Sequence, residues 1–119
     1  MLNIKRYMIT TIKEKESNIQ KAILEYLALK KIYAWKNHST GIFNAKGGGF
    51  IPTGKPGVSD ILGIMPDGKF LAIEVKKKGG KVSDYQIAFI KDIILNNGIA
   101  FVAYSVDDVI KTLSQQKTA

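Results

Sequence analysis

The sequence predicts an α/β fold, a central mixed β-sheet flanked by helices in the order α-β-β-β-α-β-α. Three observations carry that reading. Apolar residues recur at helical spacing over residues 12–31, and again after Ser83 and after Ser105. Residues 58–65 and 69–77 are apolar on both faces of an extended chain, as in central strands covered from two sides. Residues 99–104 form a further buried run suited to a strand.

Thr11 and Glu14 have capping-box spacing, and no Gly or Pro interrupts the chain that follows. Ile12, Ile19, Ile23, Tyr26 and Leu27 share one face, which predicts an amphipathic helix over 12–31. Glu16 lies on the same stripe. It is either tolerated at an edge or aimed at something, and the helix alone leaves both open. Residues 32–37 suit a short strand, with Tyr33 and Trp35 expected to pack the core rather than stack on bases. Residues 39–57 hold six glycines and two prolines, which predicts a long loop with no regular element. Lys46 and Lys55 ride on it, and such a loop either orders against a phosphate backbone or stays disordered.

Pro66, Asp67 and Gly68 are a strong turn signal, so the two apolar runs around them form a hairpin. Ser83 and Gln86 make a second capping box, opening a helix with Ile87, Ile90, Ile94 and Leu95 inward and Gly98 as its stop. Ser105 is expected to cap a last helix through Val109, Ile110 and Leu113. The whole chain, 1–119, reads as one domain with flexible ends at 1–10 and 115–119.

Hydrophobic residues make up 45% and charged residues 24%, which is ordinary for a globular protein. The net charge of +8, from 17 Lys and one Arg, is not ordinary and favours a polyanionic partner such as nucleic acid or an acidic membrane surface. With no cysteine, disulfides and thiolate metal sites are excluded. No apolar run approaches the ~18 residues of a membrane span, and no signal peptide is visible, so a cytoplasmic location is expected.

Asp60, Glu74 and Lys76 are ionisable residues inside runs that otherwise read as buried, where charge is costly unless paired or bound to metal. A turn centred on Asp67 pairs Met65 with Lys69, Leu62 with Ala72, and Asp60 with Glu74. Opposed residues have Cβ atoms about 5 Å apart on one face, so the two carboxylates repel unless a cation lies between them. Both supply the oxygen ligands that Mg²⁺ and Mn²⁺ prefer, and the Val75 carbonyl can supply another. Strand period returns Lys76 to the face of Glu74, where it can orient or deprotonate water or offset charge on a phosphate. That set suits metal-assisted phosphodiester hydrolysis. A structural salt-bridge cluster is the competing reading. Lys77, Lys78 and Lys81 are either a solvated strand exit or phosphate contacts beside the site. Gln86 is expected at the third position of a capped helix in any case, so cap and site roles both stay open, and His38, the one histidine, is most simply a surface or satisfied side chain.

Asp60, then Glu74-Val75-Lys76 on a hairpin, preceded by a helix with an inward Glu, resembles the PD-(D/E)xK nuclease superfamily and its restriction-endonuclease-like core. Ser59 stands where that pattern conventionally has Pro. Together with Trp35-Lys36-Asn37, the Gly-rich loop, Gly57 to Asp60, and Ser83 with Gln86, the chain from about Lys15 to Ser105 resembles a stand-alone VRR-NUC domain of phages and bacteria. The resemblance implies that Asp60, Glu74 and Lys76 form the catalytic core. It also implies that Glu16 supports a metal, often through water, and that Gln86 faces the site. Stand-alone members are associated with homodimers that cut four-way (Holliday) junctions. The crosslink-repair relatives instead prefer flaps and carry extra domains for which this chain has no room.

The expected function is therefore a Mg²⁺- or Mn²⁺-dependent, structure-selective DNA endonuclease in a bacterial or phage-infected cell. Lys46, Lys55, Lys77, Lys78 and Lys81 are expected to contact DNA. The alternatives are a less selective flap, single-strand or duplex nuclease, and a non-catalytic basic DNA-binding module.

Overall fold

The computed structural model describes residues 15–38, 41–44, 49–52 and 54–116, the second and third of these by backbone alone. Lys46, the Thr11–Glu14 cap and the termini 1–10 and 117–119 lie outside the described residues. The core elements are helix α1 (Glu16–Leu29), strands β1 (Tyr33–Lys36), β4 (Ile61–Ile64) and β5 (Phe70–Val75), helix α2 (Asp84–Leu95), strand β6 (Ile99–Ala103) and helix α3 (Val106–Gln115). Strands β2 (Gly41–Asn44) and β3 (Gly49–Pro52) form a separate hairpin between β1 and β4.

The sheet runs β1-β4-β5-β6, antiparallel except for the parallel β5–β6 pair. The doubly apolar runs therefore become its two central strands. On one face, Ile61, Leu71, Ile73 and Val75 pack with Ile19, Ile23 and Leu27 of α1 and Val109 and Leu113 of α3. On the other, Ala72 and Ala100 pack against Phe89 of α2, with Val58, Leu62, Ile90 and Ile93 around them. Ser83 accepts from the Gln86 N–H and the Gln86 side chain accepts from the Ser83 N–H, completing the expected capping box. Ser105 likewise caps α3 by accepting from the Asp108 N–H at 3.2 Å.

Four expectations change. Residues 41–52 are not free of regular structure: Ile42 pairs with Ile51 and Phe43 with Phe50. These β-branched and aromatic residues favour strands, while Gly and Pro gather at the ends and the connection. Helix α2 buries Phe89 and partly buries Ile90 and Ile93, leaving Ile87, Ile94 and Leu95 exposed. Gln86 shares that inward face, since residues three, four and seven further on lie on the same side of the helix. Tyr33 and Trp35 do not enter the core; they are 71% and 38% exposed on edge strand β1, with ring centroids 5.5 Å apart. Among the described residues, helix α2 packs over β5 and β6 and reaches Leu62 of β4, but it does not extend over β1. Finally, Asn97, not Gly98, takes the left-handed turn after α2 (φ 69°), and the Gly98 N–H donates to Ile93 O at 2.8 Å.

Candidate active site

The hairpin register agrees with a turn centred on Asp67. Leu62 lies opposite Ala72, and the Met65 N–H donates to the Lys69 carbonyl at 2.8 Å. The ladder ends at Ile61 and Ile73, one pair short of Asp60 and Glu74. Asp60 is held there by two backbone bonds. Its carbonyl accepts from the Asn37 N–H at 2.7 Å, and its Oδ2 accepts from the Val75 N–H at 2.8 Å. The carboxylate thus crosses the gap and substitutes for a ladder bond beside Glu74.

Glu74 is 2% exposed, the one charged residue among the buried side chains described. Gln86 Nε2 donates to Glu74 Oε2 at 3.2 Å, while Oε1 is buried and unpartnered. Burial above all, then the neighbouring Asp60 carboxylate, push the Glu74 carboxyl up to about 9. The Lys76 ammonium acts the other way, and Glu16 in the first turn of α1 adds a smaller push upward. Those effects place Lys76 and Glu16 within electrostatic reach of Glu74. Gln86 serves the α2 cap and Glu74 at once.

Among the described residues, the one ion pair is Lys69 with Asp67 at 4.0 Å, on the hairpin turn. Lys76 therefore makes no direct pair with Asp60 or Glu74, as a structural salt-bridge cluster would require. No three Asp, Glu or His side chains among the described residues gather closely enough to hold an ion by themselves. The fit to a hard cation rests instead on two neighbouring carboxylates, one with an unpartnered oxygen, followed by the Val75 carbonyl. Mg²⁺ keeps several waters and takes one or two carboxylates, which matches such a set.

Lys77, Lys78 and Lys81 are exposed where the chain leaves β5, and Lys55 is exposed ahead of β4. His38 is exposed, as a surface residue should be. Two further buried oxygens lack a partner among the described residues: Ser59 Oγ, beside Asp60, and Gln20 Oε1, one turn along α1 from Glu16. The one sequence signal for Gln20 is its i+4 relation to Glu16, which puts both on one helix face.

A comparison with curated proteins found no match. The VRR-NUC domain profile matches residues 10–107, spanning α1, the hairpin, α2 and β6. With that span, the chain belongs to the VRR-NUC family of PD-(D/E)xK-related nucleases.

Proposed function

We propose that this nuclease domain is a Mg²⁺- or Mn²⁺-dependent, structure-selective DNA endonuclease that cuts four-way junctions as a homodimer. The observation that carries the catalytic assignment is the buried Glu74 carboxyl, with one oxygen unpartnered and Asp60 fixed beside it. Asp60, Glu74 and the Val75 carbonyl would hold the cation, with Glu16 supporting it through water. The cation supplies Lewis acidity at the phosphoryl oxygen. Gln86 fixes the Glu74 rotamer through its Nε2 donor. Lys76, with no ion pair among the described residues, orients or deprotonates the attacking water and offsets charge that develops on the phosphate. Lys55, Lys77, Lys78 and Lys81, with Lys46, neutralise phosphates along the strand.

Symmetric cutting of a four-way junction needs two sites related by a two-fold axis. An apolar row at the β1 edge of the sheet supports a homodimer: Tyr33, Trp35, Ile64 and Phe70 are exposed there among the described residues, and strand pairing puts Tyr33, Ile64 and Phe70 in line. No described helix is long and apolar enough to cross a membrane, which suits work on DNA in the cytoplasm.

The test is a cleavage panel of four-way junction, flap, single strand and linear duplex in Mg²⁺, Mn²⁺ and EDTA, with sedimentation of the same preparation. Metal-dependent nicking confined to the junction, by a dimer, is expected. Wild-type cutting rates in Asp60→Ala or Lys76→Ala would overturn the catalytic assignment. Binding without cutting in every metal would favour a DNA-binding module.

A further inference from the structure

A groove of about 400 Å³ lies between α1 and the end of β1, lined by Ser17, Gln20, Lys21, Leu24, Glu25 and Lys36. It adjoins the site just described. Ser17 follows Glu16, and Lys36 pairs with Ile61, the neighbour of Asp60. Gln20 is only 9% exposed, yet its Oε1 has no hydrogen-bond partner among the described residues. A buried acceptor left unpaired is costly, so an amide kept there asks for a ligand that donates to it. The Leu24 side chain beside it offers an apolar wall, and the exposed Lys21 and Lys36 give the groove positive flanks. Glu25 lies a turn beyond Lys21, on the side away from Glu16.

We infer that this groove takes a single unpaired nucleotide of the DNA substrate, its phosphate against Lys36 and Lys21 and an N–H of its base on Gln20 Oε1. The inference deepens the proposed nuclease reading and rests on it. The volume suits one nucleotide and is far too small for a duplex. Stacked, paired bases cannot lower an edge onto an acceptor so deeply buried, whereas an extruded base can. Selectivity for branched DNA then has a physical source, because branch points supply unpaired nucleotides.

The experiment is fluorescence anisotropy in EDTA with duplexes carrying one bulged adenine or, in the same place, one bulged abasic residue. Wild type is expected to bind the adenine bulge about tenfold more tightly, the worth of one satisfied buried hydrogen bond. Gln20→Met should bring that ratio close to one. Lys36→Gln, on an exposed residue, should weaken binding of both bulges while keeping the ratio. Each ratio is taken within one protein, so a change in stability does not mimic the effect. Equal affinity of wild type for the two bulges would overturn the inference, and so would an undiminished ratio in Gln20→Met. If the ratio behaves as expected but Mn²⁺ gives no cleavage, the groove stands and the nuclease reading falls.

Discussion

The Asp60 carboxylate accepts the Val75 backbone N–H at 2.8 Å, locking the residue that precedes β4 to the residue that follows Glu74. Asp60 thus has a structural task as well as its proposed catalytic one, and substitutions should separate them. Asp60→Ala leaves the Val75 N–H without its acceptor and should cost about 1–2 kcal/mol in urea unfolding. Asp60→Asn keeps a carbonyl acceptor there and should unfold near wild type. Both should abolish Mg²⁺-dependent nicking, because neither supplies a carboxylate. Nicking by Asp60→Asn at the wild-type rate would mean that only the hydrogen bond matters.

Glu74 makes stability depend on pH. In the unfolded chain it ionises near 4.5, whereas in the folded chain it keeps its proton up to about 9. Between those values the folded state binds more protons, so metal-free stability is full at the acid end and declines as pH rises. Urea midpoints in EDTA at pH 5, 7 and 8.5 should fall in that order. Glu74→Gln should flatten the series, and Mg²⁺ should flatten it for wild type by stabilising the ionised carboxylates. A decline of equal steepness in Glu74→Gln would assign the pH dependence to some other group.

The hairpin is legible in the sequence because a Pro-Asp-Gly turn and two doubly apolar strands leave one register, and Leu62 does face Ala72. The Ser83–Gln86 capping box, the Ser105 cap and strand β6 are legible for similarly local reasons. What local pattern does not encode is which apolar stripe of α2 wins. Ile87, Ile90 and Ile94 and the set Phe89, Ile90 and Ile93 are both helical stripes, and the choice between them is made by tertiary contacts, Phe89 against Ala72 and Ala100 and Gln86 on Glu74. The exposure of Tyr33 and Trp35 is equally hidden, because coverage of the sheet depends on where α2 lies. Gln20 is hidden because a glutamine inside a helix is unremarkable until its burial is known.

The two tasks of Gln86 can be pulled apart. Gln86→Glu preserves the capping box, since Glu serves that position equally well, but replaces the donor to Glu74 with another carboxylate. Thermal stability should then stay near wild type in Mg²⁺ while cleavage slows. Gln86→Ala loses both and should cost about 1 kcal/mol as well. If Gln86→Glu cuts at the wild-type rate, the residue is only a cap.

The lysines around β5 should act through charge alone. Lys55, Lys77, Lys78 and Lys81 are exposed, so replacing all four by Ala should leave the melting curve nearly unchanged. Each lysine that no longer neutralises a phosphate lowers the slope of log affinity against log salt by about 0.9, so the quadruple variant should have a slope shallower by about 3 to 4. A slope equal to wild type would place the DNA on another face.

Gly57 couples the loop carrying Asp60 to helix α2. Its φ is +79°, and a Cβ built on it would run into the Tyr85 carbonyl and come within 2.9 Å of the Gln86 nitrogen. Backbone conformation and close approach therefore both demand glycine. In Gly57→Ala the loop must retreat from the first turn of α2, carrying Asp60 away from Gln86 and Glu74. A loss of about 2–3 kcal/mol in urea unfolding is expected, from strain and overpacking together. Because the displaced segment holds one proposed metal ligand and the start of α2 orients the other, the Mg²⁺ needed for half-maximal nicking should rise in whatever fraction stays folded. Gly68 provides the control: its φ is +92°, but a Cβ there meets nothing within 4 Å. Gly68→Ala should show backbone strain alone, with a smaller loss of stability and an unchanged Mg²⁺ requirement. If the two variants behave alike, the approach of Gly57 to Tyr85 does not position the site.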